Sequence, residues 1–175
     1  TSRGDHMRVA VLGGGNGGCA CAGHLALNGH RVRLFSRNSD IVRTITESGG
    51  LQVEGPIVNG RASLEYCGND LSAAVDGADV VMLVVPATAH DYYARHLAPL
   101  LDEDQVVFLN PGHTGGAFHF SHVARRHGLR VPFVTEANTL TYACRLVGPA
   151  RIAIYNVAPV LVATLPSRYG GEAYG

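Results

Sequence analysis

Little in this 175-residue chain points toward nucleic acid, a membrane or a metal. Its 14 basic and 14 acidic residues cancel, so its charge gives no reason to expect a polyanion or an acidic lipid surface as partner. No apolar run approaches the ~20 residues of a membrane span, and the leading residues do not read as a signal peptide. Cys19, Cys21, Cys67 and Cys144 form neither a C-x-x-C pair nor a metal-ligand spacing, which fits a reducing, cytoplasmic compartment and no metal. His119 and His122 stand three apart with His127 nearby, but no acid or cysteine supports them, and they read as a solvated helix face. Repeats and low-complexity tracts are missing too.

What the chain does have is glycine, 22 residues of it, and 46% apolar residues, enough to bury the core of one domain. Thr1–His6 resembles an expression-vector remnant ahead of a start at Met7, leaving 7–175 as the domain. The first strand-like run, Arg8-Val9-Ala10-Val11-Leu12, leads into Gly13-Gly14-Gly15-Asn16-Gly17-Gly18 and a small-residue helix over Cys19–Leu27. Strand, G-x-G-x-x-G and helix in that order suit a dinucleotide pyrophosphate. Gly13 permits the turn, Gly15 lets the backbone approach the phosphates, and Gly18 lets the helix lie close on the strand. The helix N-terminus then offers unpaired N–H groups to the anion.

Strand and helix patterns alternate from there, which predicts an α/β fold: a Rossmann-type, doubly wound, mostly parallel sheet. Strands are expected at 32–35, 79–85, 106–109, 131–134, 151–155 and 160–165, and helices at 40–47, 70–75, 89–101 and 116–127. Ser39 or Asp40 is the expected N-cap of the helix over 40–47. Residues 51–54 and 61–66 alternate around Gly55-Pro56 and read as an inserted, partly solvent-facing β-hairpin. Ser167–Gly175 shows no stop signal, and a chain cut short explains it better than a natural tail.

The second strand ends in Ser36-Arg37-Asn38, without the acid that NAD-selective sites place there for the ribose 2′-hydroxyl. Ser36 and Arg37 suit a 2′-phosphate, so NADP(H) is the expected cofactor, with NAD(H) tolerated. Val85-Pro86-Ala87 and Asn110-Pro111-Gly112 follow later strands at the carboxyl end of the sheet and are expected to flank the nicotinamide. His90 reads as bordering the next helix. His113, in the second glycine-rich loop, is the candidate acid/base or substrate contact.

Together these motifs resemble the N-terminal half of the octopine/nopaline (opine) dehydrogenases. The resemblance is carried by Val11–Gly18, His24-Leu25-Ala26, Gly29–Val32, Asn110–Gly116 and Asn138–Arg145. It implies a reductive condensation of an amino acid with a 2-oxo acid, with NAD(P)H as reductant. It also implies that Thr139 and Cys144 lie near the oxo-acid site, beside His113, although a small core cysteine is the alternative for Cys144. Asn138 stands where some members carry an acid useful for a basic amino acid. The family's helical C-terminal domain, with its main acid/base residues, is not in this sequence, so the chain alone is expected to bind cofactor and catalyse little. A homo-oligomer is compatible with the apolar surface this would leave. A ketopantoate-reductase-like 2-oxo acid reductase and a non-catalytic NADP-sensing module are the competing readings.

Overall fold

The computed structural model describes residues 6–165, so most of the expected vector remnant and the 167–175 tail lie outside the described residues. In chain order the first half builds β1 (Arg8–Leu12), α1 (Asn16–Leu27), β2 (Arg31–Phe35), α2 (Ser39–Glu47), β3 (Leu51–Glu54), β4 (Gly60–Ala62), β5 (Tyr66–Gly68), α3 (Leu71–Val75) and β6 (Val80–Leu83). The second half builds α4 (His90–Leu97), β7 (Val106–Leu109), α5 (Gly116–Arg126), β8 (Phe133–Ala137), β9 (Tyr142–Gly148), β10 (Arg151–Val157) and β11 (Val162–Leu165).

The main sheet runs β11-β8-β7-β6-β1-β2-β5, parallel except for β11, which pairs antiparallel with β8. Its order reverses between β1 and β6, the switch point where open α/β sheets bind ligands at the carboxyl ends of their strands. Side-chain alternation divides the core. Ala10, Leu12, Leu83 and Leu109 pack with Tyr93, Leu97 and Phe120 under α3, α4 and α5. Val9, Val11, Val32 and Leu34 turn the other way, onto α1 and α2.

A second sheet, β4-β3-β10-β9, closes over α1 from outside. This explains the composition of α1, in which residues Gly18 to Gly23 are all buried. With a sheet on either side, the helix has no room for large side chains: a Cβ on Gly23 would stand 2.6 Å from Val53 Cγ2.

Several sequence expectations are corrected here. Residues 51–54 and 60–62 pair as the expected partly solvent-facing hairpin, with Leu51, Val53 and Ala62 buried, but the hairpin belongs to a second sheet with β10 and β9. The run expected as one strand over 61–66 splits, and Tyr66–Gly68 crosses to the edge of the main sheet beside β2. Helix α1 starts at Asn16, inside the glycine run. The N-cap of α2 is Asn38, whose Oδ1 accepts from Asp40 N and Ile41 N, so neither Ser39 nor Asp40 takes that role. The helix expected over 89–101 is α-helical only over 90–97, with a 3-10 turn at each end and Pro99 in the second. Strand β8 is shifted two residues beyond its expected start, and β9 had no counterpart in the sequence reading.

Candidate functional site

The glycine run is held by contacts that only glycine permits. A Cβ on Gly13 (φ 128°) would stand 2.2 Å from Val84 O, and one on Gly18 would stand 1.7 Å from Gly13 O. Gly15 differs: nothing lies within 4 Å of its Cβ position, and the residue is exposed. It is the N-cap of α1, and no side chain caps that helix. The first-turn amides of α1 thus have no side-chain cap, and the space beside Gly15 is open, as an anionic ligand requires. The Asn16 side chain is committed elsewhere, its Oδ1 accepting from Leu146 N at 2.8 Å. Gly17 is half-buried, and a Cβ on it would lie 3.0 Å from Leu140 Cδ1.

At the end of β2, Ser36 and Arg37 part company. Ser36 is 3% exposed, its Oγ accepts from Asn38 N at 3.1 Å, and its carbonyl accepts from Asn69 Nδ2. It packs the glycine loop against the strand, for a Cβ on Gly14 would meet its Oγ at 2.4 Å. Arg37 is exposed, with its guanidinium 5.1 Å from the centroid of the Tyr92 ring, and Tyr92 in turn stacks on His96. The sequence contains no lysine, so a cationic contact at this end falls to arginine. Tyr92, which no sequence signal marked, keeps that arginine in place.

Beyond β6, Val84 and half-buried Val85 lie against Gly13, while Pro86 and Ala87 are exposed. His90 opens α4 and is 1% exposed, with no hydrogen-bond partner for Nε2. Burial holds its pKa below the ordinary histidine value; His113 and His119 push the same way, and Glu136 pushes against them. Burial alone lowers His24. Because the unfolded chain binds protons at these sites below about pH 6.5 and the folded chain resists, their contribution to stability is intact above that pH and is lost as pH falls through the folded values. Urea midpoints should therefore drop on acidification from neutral pH, and His90→Leu should flatten that drop.

Asn110 is fully buried and accepts from both Thr141 N and Thr141 Oγ1 at 3.1 Å. Gly112 N donates to Ala137 O, and His113 and Thr114 follow, both exposed and both left-handed. Glu136 reaches back under this loop to accept from Gly115 N and Ala117 N. The 138–141 segment joins the two glycine-rich loops, with Leu140 over Gly17 and Thr141 on Asn110. Thr139 is exposed between them. Asn138 is engaged on both sides: its N donates to Leu161 O, and its Oδ1 accepts from Leu161 N.

Cys144 lies on the strand that follows the 138–141 segment. It is half-buried on β9, packed against the core around α1, and burial pushes its thiol pKa up. His119 and His122 are exposed on α5. Glu136 and Thr141, like Tyr92, carry contacts to which the sequence assigns no role. The available signal was a carboxylate closing the apolar run Phe133–Ala137 beside a glycine-rich loop.

Residues 8–121 match the family model of the NAD-dependent glycerol-3-phosphate dehydrogenase N-terminus. An opine dehydrogenase from Arthrobacter sp. (strain 1C) is 34% identical over 165 residues, covering 94% of this chain and 46% of that protein. An octopine dehydrogenase structure with NADH and pyruvate superimposes with a TM-score of 0.78 at 25% identity, over 91% of this chain and 43% of that one. A PanE/ApbA family ketopantoate reductase from Ralstonia eutropha JMP134 does so with a TM-score of 0.69 at 26% identity, over 89% and 49%. The chain spans about half the length of the curated relatives it matches. With its doubly wound sheet and open glycine loop, it belongs to the family of NAD-dependent glycerol-3-phosphate dehydrogenase N-terminal domains and is similar over nearly its whole length to part of an opine dehydrogenase.

Proposed function

We propose that residues 7–175 bind NADPH in preference to NADH within an oxidoreductase that condenses an amino acid with a 2-oxo acid. The observation that carries the cofactor reading is the contrast within the glycine run: Gly13 and Gly18 are closed against backbone, whereas Gly15, the N-cap of α1, is open and no side chain caps the helix. The pyrophosphate sits there in this reading, with Arg37 on the 2′-phosphate and the 85–87 and 110–112 loops beside the nicotinamide. When bound, the cofactor supplies hydride. The protein positions it and keeps Thr139 and His113 exposed where the organic substrates meet it.

The choice of reaction rests on the match to the Arthrobacter enzyme, which runs through the 138–145 segment and nearly the whole chain. In that reaction the amine nitrogen bonds to the oxo carbon, water leaves, and the C=N bond gains hydride and a proton. The principal acid/base residues belong, on this proposal, to a separate helical domain. A 2-oxo acid reductase is the second reading, favoured by the ketopantoate reductase superposition. Parallel fluorescence titrations with NADPH and NADH test the cofactor, and equal or tighter NADH binding would sink the preference. Incubating the complete gene product with NADPH, pyruvate and an amino acid panel tests the reaction: a secondary amine supports it, and lactate alone would favour the second reading.

A further inference from the structure

The second glycine-rich loop is built around a carboxylate of the protein itself. His113 (φ 54°), Thr114 (φ 53°) and Gly115 (φ 96°) are left-handed in succession, a conformation open to glycine but strained for the other two. Such turns gather backbone N–H groups around an anion. Here the anion is Glu136, whose Oε1 accepts from Gly115 N at 2.9 Å and whose Oε2 accepts from Ala117 N at 2.7 Å. Two glycines make way for it. A Cβ on Gly112 would stand 2.4 Å from Glu136 Cβ, and one on Gly116 would stand 3.3 Å from Oε2. The N-terminus of α5 is thus neutralised from within, unlike that of α1.

We propose that Glu136 is the positioning residue for His113. By pinning 112–117 to the end of β8, it holds His113 and Thr114 in their strained backbone geometry at the nicotinamide end of the site. The proposal rests on the cofactor reading above. Glu136→Gln keeps the shape of the side chain but replaces one acceptor oxygen with a donor, opposing one of the two amides.

The test compares NADPH with adenosine 2′,5′-bisphosphate, which lacks the nicotinamide, as ligands of the 175-residue polypeptide. Glu136→Gln should weaken NADPH roughly tenfold, as expected for loss of a charge-assisted hydrogen bond, and leave the bisphosphate within about twofold. The backbone amide resonances of His113 and Thr114, followed by NMR, should shift with it. His113→Ala should add little loss in the Glu136→Gln background, since the two residues act as one unit. Gly112→Ala, which displaces Glu136 while keeping its charge, should reproduce the pattern. Equal weakening of both ligands, additive losses, or unmoved His113 and Thr114 backbone resonances would overturn the proposal. Wild-type NADPH binding no tighter than the bisphosphate would overturn it by a different route, removing the nicotinamide from the loop and with it the reading on which the proposal rests.

Discussion

Gly15→Ala should leave the fold intact and abolish dinucleotide binding, whereas Gly18→Ala, three residues on, should break both. The difference lies in where each methyl goes. Gly15 has φ −79° and empty space at its Cβ position, so alanine fits the native backbone and should change stability by no more than ~1 kcal/mol. Its methyl would occupy the approach that the pyrophosphate needs, and at least a hundredfold loss of NADPH affinity is expected, or ~2.7 kcal/mol. At Gly18 the methyl would stand 1.7 Å from Gly13 O, inside any tolerable contact. Alanine gains up to ~1 kcal/mol of helix propensity over glycine, but overpacking a buried backbone contact costs ~3 kcal/mol or more, so the clash wins. Urea denaturation alongside fluorescence titration separates the two outcomes. If Gly15→Ala bound NADPH normally, the phosphate site would have to lie elsewhere.

Arg37→Ala should weaken NADPH roughly 10- to 100-fold, the ~1.5–3 kcal/mol of a hydrogen bond to a charged group, and change NADH by less than twofold. The competing role for Arg37 is its stack on Tyr92, 5.1 Å from the ring centroid. An exposed cation–π contact contributes only ~0.5–1 kcal/mol, and its loss would weaken both cofactors alike by a few-fold at most. The size of the change and its selectivity therefore decide between the two. Ser36→Ala should matter far less to NADPH than Arg37→Ala, because Ser36 is buried and its oxygen already accepts from Asn38 N. Isothermal titration of the two variants with both cofactors checks this, and a larger NADPH loss from Ser36→Ala would reverse the ranking.

The parallel sheet and the glycine loop were legible because their signals are local. An apolar run, a glycine triplet and a small-residue helix lie within 20 residues of one another, and each motif demands the next. The second sheet was not legible, since it is assembled from segments nearly 100 residues apart: β3 pairs with β10 through Gln52–Glu54 and Arg151–Ala153. Alternation correctly found the buried faces of Leu51 and Val53 but could not say what they face. The α2 cap was misread by one or two positions because Asn38, Ser39 and Asp40 are all good capping residues, and only the Asn38 contacts distinguish them. Glu136 escaped because capping rules look just ahead of a helix, whereas this carboxylate comes from about 20 residues downstream. In the His113 loop, Gly112 and Gly116 make room for the Glu136 side chain, a close approach that nothing within 110–116 announces.

The sandwiching of α1 between two sheets also sets an order of assembly. The glycine loop and its helix leave the ribosome early, but the strands that seal the outer face of α1 include β9 and β10, at 142–157. Asn16 finds its partner at Leu146, 130 residues later. Until then Ile152 and Ile154 have yet to cover the small-residue surface of the helix, and the loop-closing entropy of that long separation has not been overcome. A motif synthesised ahead of its cover is therefore among the later of the described elements to become rigid, and a nascent chain acquires its grip on a nucleotide only after β9 and β10 have emerged.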